Sequence, residues 1–315
     1  MSKMEWVKYK NYEGPRYIGD QVFNPSKPWG PWTKIMGVVA RCEGNHDTVV
    51  MYDGTGVTWG FLQWTFTSGR LQKLLQSFKS IPYFEFDLDG DDENIRSLFD
   101  YICCTSISQV QCFETFGFRI DHGKFIDSRR SVALHPYNNK KRISNICLKN
   151  RSGKLDKQHA KSLADSFASM GKLHEVQLAQ IQFAKNEFER ALTFRRKPLD
   201  GRTIKDLLPD KLWENTVVPA IFFNLWQNSP RGAYKFFLNC WNEARKRRIA
   251  AAVGVLQPDM EEVFEEIVWK RLNKTVFANW GWRSKRYKEG KGKPRVYRIK
   301  KAIKEFYNVD LEFIK

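Results

Sequence analysis

The chain of 315 residues has no run of about 18 consecutive apolar residues, the minimum for a bilayer-spanning helix. Met1 to Lys10 is charged and lacks the apolar stretch of a secretory leader. These absences imply no membrane span and synthesis in a cytoplasm. Cysteine and histidine are scarce: six cysteines (Cys42, Cys103, Cys104, Cys112, Cys147, Cys240) contain no paired CxxC spacing, and five histidines form no cluster with them. That excludes a zinc module and a regular disulfide framework, so reduced, mostly buried thiols are expected, with no metal and no cofactor. Acidic residues are also in deficit, 35 against 53 Lys and Arg, leaving a net charge of +18. Such a balance points to an anionic polymer as partner: nucleic acid, an anionic membrane surface or the bacterial wall. What is plentiful is apolar and aromatic content, 42% and 14%, which excludes a disordered polyelectrolyte. The length suits one elaborated domain or two ordinary ones.

Residues 1–30, rich in Pro, Gly, Tyr and Lys, read as an irregular N-terminal arm. From Trp32 through Arg41 the apolar positions Trp32, Ile35, Met36, Val38, Val39 and Ala40 recur at helical spacing, and Glu43-Gly44-Asn45 supplies a helix stop. Val49 to Leu62 reads as a small hairpin, with β-branched and aromatic residues flanking the Gly-rich turn Asp53-Gly54-Thr55-Gly56. Helix is expected again from Ser68 to Phe78. Residues 81–155 form a loop-rich insertion with room for a short sheet; the acidic run Glu85 to Glu93 lacks the ligand order of a calcium loop and reads as a solvated turn. Helical patterns follow over Lys157 to Leu192, broken near Gly171, then Val217 to Trp226, Arg231 to Arg247, Pro258 to Asn273 and Ile299 to Tyr307. Glu261, Glu262, Glu265 and Glu266 read as first-turn charges on a solvated face. Gly281 to Arg298 is a basic loop within a C-terminal extension, residues 276–315. The fold class expected is α+β, mainly helical.

Cleaving a glycosidic bond takes a proton donor on the leaving oxygen and a second polar group on the opposite face of the sugar. Glu43, at the end of an apolar helix, is placed for partial desolvation, which raises a carboxyl pKa toward the range of a general acid. Asp53 lies ten positions on, in the hairpin turn. Asp53-Gly54 is also a common turn pair, and Asp47 is the rival carboxylate. Thr58, on the hairpin strand, has a hydroxyl suited to holding water. Trp59 and Trp64 carry aromatic faces that suit pyranose rings but also suit a core. Gln63 carries an amide that can bond an acetamido group. His46 has no second His near it and reads as a surface residue.

This arrangement resembles the catalytic constellation of the phage-type lysozymes, in which a Glu, an Asp and a Thr surround the scissile bond. Glu43 to Thr58 spans fifteen positions and Glu43 to Gly60 seventeen, as in that family, while Asp53 falls one residue later than the family's Asp. Gly60-Phe61-Leu62-Gln63 is similar to the Gly-x-x-Gln segment of goose-type lysozymes and lytic transglycosylases. Phe222-Phe223-Asn224, Ser229-Pro230-Arg231-Gly232-Ala233 and Phe236-Phe237-Leu238-Asn239 resemble late core helices of phage muramidases. The resemblance implies a lysozyme-like catalytic domain over residues 31–275, with Glu43, Asp53 and Thr58 catalytic and Trp59, Gln63 and Trp64 on the substrate. It further implies cleavage of the β-1,4 bond between N-acetylmuramic acid and N-acetylglucosamine in bacterial peptidoglycan, by a phage lysis enzyme or a virion component.

Two other functions fit the residues. A lytic transglycosylase works with one Glu and leaves an anhydro sugar, so Asp53 and Thr58 are idle in it. A nucleic-acid-binding protein would use the basic tail Arg283 to Lys301, with Trp280, Trp282, Tyr287 and Tyr297 for stacking, although no recognised module accompanies it and no specific nucleic acid is expected.

Overall fold

A computed structural model of the protein describes residues 4–24, 30–78, 116–193, 203–207, 217–251, 260–274 and 295–309. The chain is α+β, with helices predominating over two small antiparallel sheets. It divides into two compact units, residues 1–23 with 43–184, and residues 24–42 with 185–315. The first unit thus takes in the described N-terminal residues with the hairpin region, and the second takes in residues 295–309 with the helices that precede them.

The first unit holds a five-stranded sheet in sequential order: β1 (Glu5–Tyr9), β2 (Tyr12–Tyr17), β3 (Val49–Val50), β4 (Thr58–Trp59) and β5 (Trp64–Thr65). The N-terminal residues are thus a hairpin, where an irregular arm was expected. Lys10 turns the chain with φ +54°, and Tyr9 pairs with Tyr12 across the turn. The Gly and Pro that read as irregular have positions in the ladder. A Cβ on Gly14 would lie 2.6 Å from the Met51 carbonyl oxygen, so only glycine permits that approach. Pro15 accepts from the Met51 N–H at 3.0 Å, so its missing N–H points toward β3. The Pro15 carbonyl still holds the strand to β3, and only the reciprocal donor is missing.

The expected hairpin is present, with Val49 opposite Trp59 and Val50 opposite Thr58. Alternation sends Tyr17, Val49, Trp59 and Trp64 to one face, which is buried. Arg16, Val50, Thr58 and Thr65 take the other. Against the buried face the Trp59 ring meets Phe78 and Phe167, at 6.3 and 5.4 Å between centroids. These come from helices α2 (Arg70–Phe78) and α4 (Lys157–Met170). Asp156 caps α4 by accepting from the His159 N–H at 2.9 Å. Within the expected insertion, β6 (Phe118–Asp121), β7 (Lys124–Asp127) and β8 (Val132–Leu134) form the short sheet, and α3 (Lys140–Leu148) adds a helix the sequence pattern did not announce. Phe118 and Phe125 stack and close on Phe66. The acidic run Glu85 to Glu93 lies outside the described residues.

The second unit comprises α1 (Pro31–Glu43) up to Cys42, the end of α5 (His174–Thr193), α6 (Val218–Asn228), α7 (Pro230–Ala251), α8 (Met260–Lys274) and α9 (Arg295–Tyr307). The break near Gly171 separates α4 from α5 as the pattern predicts. Aromatic rings make this core: Phe188 stacks on Phe223 at 4.0 Å, and Trp32 leans on both. The described part of the basic C-terminal stretch is the helix α9. Arg295 to Arg298, expected as loop, already belong to it, and Phe306 lies against Gly37 of α1 so closely that a Cβ there would sit 2.3 Å from the ring. The acidic start of α8 is not a uniformly solvated face. Glu265 is partly buried, burial raises its pKa, and the Trp269 side chain and Val217 backbone bond it. Glu266 pairs with Lys270.

Candidate active site

Helix α1 stops at Glu43 because Gly44 and Asn45 redirect the chain. The Asn45 N–H donates to Thr48 Oγ1 at 2.9 Å, the Asn45 amide to the Gly19 carbonyl at 2.5 Å, and the His46 N–H to the Gln21 carbonyl at 2.9 Å. The loop 44–48 is tied in turn to the hairpin, since the Gly60 N–H donates to the Thr48 carbonyl at 3.0 Å. A Cβ on Gly44 would lie 3.0 Å from the Gln63 amide nitrogen. The residue after Glu43 therefore abuts the side chain of Gln63.

Gln63 sits at φ +53°. Its backbone and side-chain N–H groups both donate to the Gly60 carbonyl, at 3.0 and 2.8 Å. One hydrogen of its amide nitrogen is thus engaged by its own turn, while its Oε1 accepts no bond among the described residues. The Oε1 can accept from the N–H of an acetamido group.

Asp53, Thr55 and Thr58 form a chain. The Thr55 hydroxyl donates to Asp53 Oδ1 at 2.5 Å and the Thr55 N–H donates to the same oxygen at 3.1 Å. Thr55 Oγ1 lies 2.7 Å from Thr58 Oγ1. Because the Thr55 hydrogen is committed to the carboxylate, Thr58 is the donor in that last contact. Asp53 itself is exposed, yet the surrounding protein partly desolvates the carboxylate and raises its pKa against the Thr55 bonds, which lower it. Among the described residues no cation pairs with it. Oδ1 holds both Thr55 bonds, leaving Oδ2 for a ligand. Thr58 is only 4% exposed, so the expected contact with water is corrected: it braces Thr55 from behind. Thr55 is the residue the sequence reading missed, although Asp-x-Thr is a recognisable side-chain turn signal.

Asp47, the rival carboxylate, is buried. It accepts from the Gln21 and Asp20 N–H groups at 3.1 and 3.3 Å and from the Tyr17 hydroxyl at 3.4 Å. Burial raises its pKa, and the backbone bonds oppose that. Its work is to tie the segment after β2 to the loop 44–48.

Two further expectations are corrected. Trp59 and Trp64 are both 0% exposed; Trp64 packs edge-on against Phe61 and Phe183. Neither presents a face to a sugar, because each occupies the buried side of its strand. His46 is also internal, 1% exposed, between Phe23 and Phe61. The Gln180 amide N–H donates to the His46 carbonyl at 3.1 Å, which turns Gln180 Oε1 toward His46 Nδ1 at 3.0 Å. Nδ1 therefore carries the proton. Desolvation lowers the His46 pKa to about 4, with the Gln180 bond opposing and nearby His174 reinforcing the shift.

The second unit has its own concavity, lined by Asn239, Asn242, Glu243, Lys246 and Arg271. Glu243 accepts from Arg271 at 2.8 and 2.7 Å and from Arg247 at 2.6 Å. Burial would raise its pKa, but these bonds outweigh it and the net shift is downward. A carboxylate held ionised by two guanidinium groups is a poor proton donor and a poor base.

Cys42, Cys147 and Cys240 are buried free thiols, and burial pushes the Cys240 thiol up to about 12. Among the described residues no group of three or more His, Cys, Asp or Glu is placed to hold a metal ion, and no helix is long and apolar enough to cross a membrane. Compared with known proteins, the chain matches no family model, no curated protein and no solved structure.

Proposed function

We propose that the protein is a glycoside hydrolase that cleaves the β-1,4 bond between N-acetylmuramic acid and N-acetylglucosamine in bacterial peptidoglycan. The observation that carries this reading is the Asp53–Thr55–Thr58 hydrogen-bonded chain, in the same unit as Glu43 and the Gln63 turn beside it. Glu43 gives its proton to the glycosidic oxygen as the bond to the anomeric carbon breaks. A water then forms the new carbon–oxygen bond, and Asp53 Oδ2 takes its proton. Thr55 and Thr58 fix the carboxylate so that Oδ2 is the oxygen presented. The net charge of +18 favours retention on an anionic wall, and a phage lysis enzyme or virion component is the setting that suits the chemistry.

The chain of hydroxyls favours the hydrolase over a lytic transglycosylase, which has no attacking water to activate. Digestion of purified peptidoglycan with mass analysis of the fragments tests both. Reducing ends are expected, lost in Glu43→Gln; fragments lighter by one water would assign the transglycosylase, and full lysis by Glu43→Gln would overturn the site.

A further inference from the structure

We propose that Tyr9 and Tyr12, with Tyr52 at their edge, form a saccharide-stacking platform beside Asp53, a subsite for pyranose rings of the glycan strand. The inference rests on the reading of the protein as a glycan-cleaving enzyme and supplies what that reading lacks. A polysaccharide is gripped through aromatic faces open to solvent, and Trp59 and Trp64 are internal. Tyr9 and Tyr12, by contrast, are 50% and 49% exposed.

Their position follows from the register of the sheet. Tyr9 and Tyr12 are paired across the β1–β2 turn, so both side chains emerge on one face. Counting by twos along β2 from Tyr12 reaches Gly14 and Arg16, and Arg16 pairs with Val50, which pairs with Thr58. The two tyrosines are therefore on the face of the sheet that bears Thr58, opposite the face that buries the tryptophans. The Tyr12 ring reaches the turn carrying Asp53: a Cβ on Gly54 would lie 2.5 Å from its Cε1, at φ +77°. Glycine at 54 is what lets the ring lie against that turn. Tyr52 meets Tyr9 edge-on, with centroids 6.5 Å apart and planes at 71°.

The polar edge is also suited to an acidic glycan. Neither the Tyr9 nor the Tyr12 hydroxyl bonds a described residue, so both are available to sugar hydroxyls. The Lys10 ammonium lies over the Tyr9 ring, 5.4 Å from its centre, a cation for the carboxylates of wall glycan and its peptides. Tyr137 is more exposed, at 72%, but it lies outside the five-stranded sheet.

The test uses the full chain carrying Glu43→Gln, co-sedimented with purified insoluble peptidoglycan. Adding Tyr9→Ala and Tyr12→Ala is expected to weaken binding about tenfold, whereas Tyr9→Phe with Tyr12→Phe retains most of it. With Glu43 intact, the alanine pair should lose more through KM than through kcat. Unchanged binding by a folded alanine pair would overturn the platform. On the unsubstituted chain, N-acetylglucosamine oligomers should protect Tyr9 and Tyr12 from nitration by tetranitromethane; unchanged nitration would overturn it equally. Lysis that is unaffected by Glu43→Gln sinks the catalytic reading, whereas a neutral tyrosine pair in a Glu43-dependent enzyme sinks the platform alone.

Discussion

Thr58 donates its hydroxyl hydrogen to Thr55 across 2.7 Å, and the direction of that bond is set by Asp53, which already holds the Thr55 hydrogen. A carboxylate that accepts two bonds at one oxygen is turned so that the other is free, and each bond to the charged form lowers its pKa. Thr55→Val keeps the backbone bond and removes the hydroxyl one. The Asp53 pKa, already raised by desolvation, should rise further. Because a base must be ionised to act, the acidic limb of the pH–kcat/KM profile is expected to move to higher pH. A limb that stays in place or moves to lower pH would show that Thr55 does not set the charge state of Asp53.

The two aspartates separate chemistry from architecture. Asp53→Asn removes the proposed base and should lower kcat by about 10²–10⁴-fold with little change in unfolding midpoint, the range of general acid–base effects. Asp47→Asn should do the reverse. Its amide cannot accept at both oxygens, so bonds from Gln21, Asp20 or Tyr17 are lost and stability falls by about 1–3 kcal/mol while kcat stays near that of the parent. Wall-lysis rates and urea titrations of both proteins would decide. Loss of activity on Asp47→Asn at full stability would exchange their roles.

Helices were legible where the apolar stripe ran longer than two turns, as in α1, α4, α5 and α6, and the β3–β4 hairpin was legible from its turn chemistry. The β1–β2 hairpin was not, because Gly14 and Pro15 are strand residues only by virtue of their neighbour: glycine for the close Met51 carbonyl, proline because its carbonyl still accepts from the Met51 N–H. At the candidate site the sequence distinguishes residue types but not sides. Thr58 and Trp59 are adjacent, and which of them faces inward depends on the register with Val49 and Val50. That parity put Trp59 and Trp64 inside and opened the other face to Tyr9 and Tyr12. His46 was hidden from a pattern reading because its partner Gln180 is 134 residues away.

The buried tryptophans give a prediction that a sugar-stacking role would not. Trp64→Ala should cost about 3–5 kcal/mol, the range for deleting a large aromatic side chain from a core, read as a lowered urea midpoint. Trp64→Phe should recover part of it. If instead Trp64→Ala weakens peptidoglycan binding at unchanged stability, the ring reaches solvent when substrate is bound.

His46 makes stability depend on pH in a defined window. Its ordinary pKa is 6.5 and burial lowers it to about 4 in the folded chain. Above pH 6.5 both folded and unfolded states hold it neutral, and it contributes no pH dependence. Between 6.5 and 4 the unfolded chain binds a proton that the folded chain refuses, so stability falls as the pH falls. The loss levels off below 4, where both states are protonated, and integrates to about 3 kcal/mol. The carboxylates Asp47 and Asp53, whose pKa values are raised, act with the opposite sign as the pH falls toward the ordinary carboxylate range, so the unsubstituted protein alone does not isolate the histidine. The difference between it and His46→Gln does. His46→Gln should be less stable at pH 7, having lost the ring between Phe23 and Phe61, but its urea midpoint should decline less from pH 7 to pH 5. Parallel curves for the two proteins would mean that His46 takes up its proton in the folded chain as readily as in the unfolded one, and that burial does not hold it neutral.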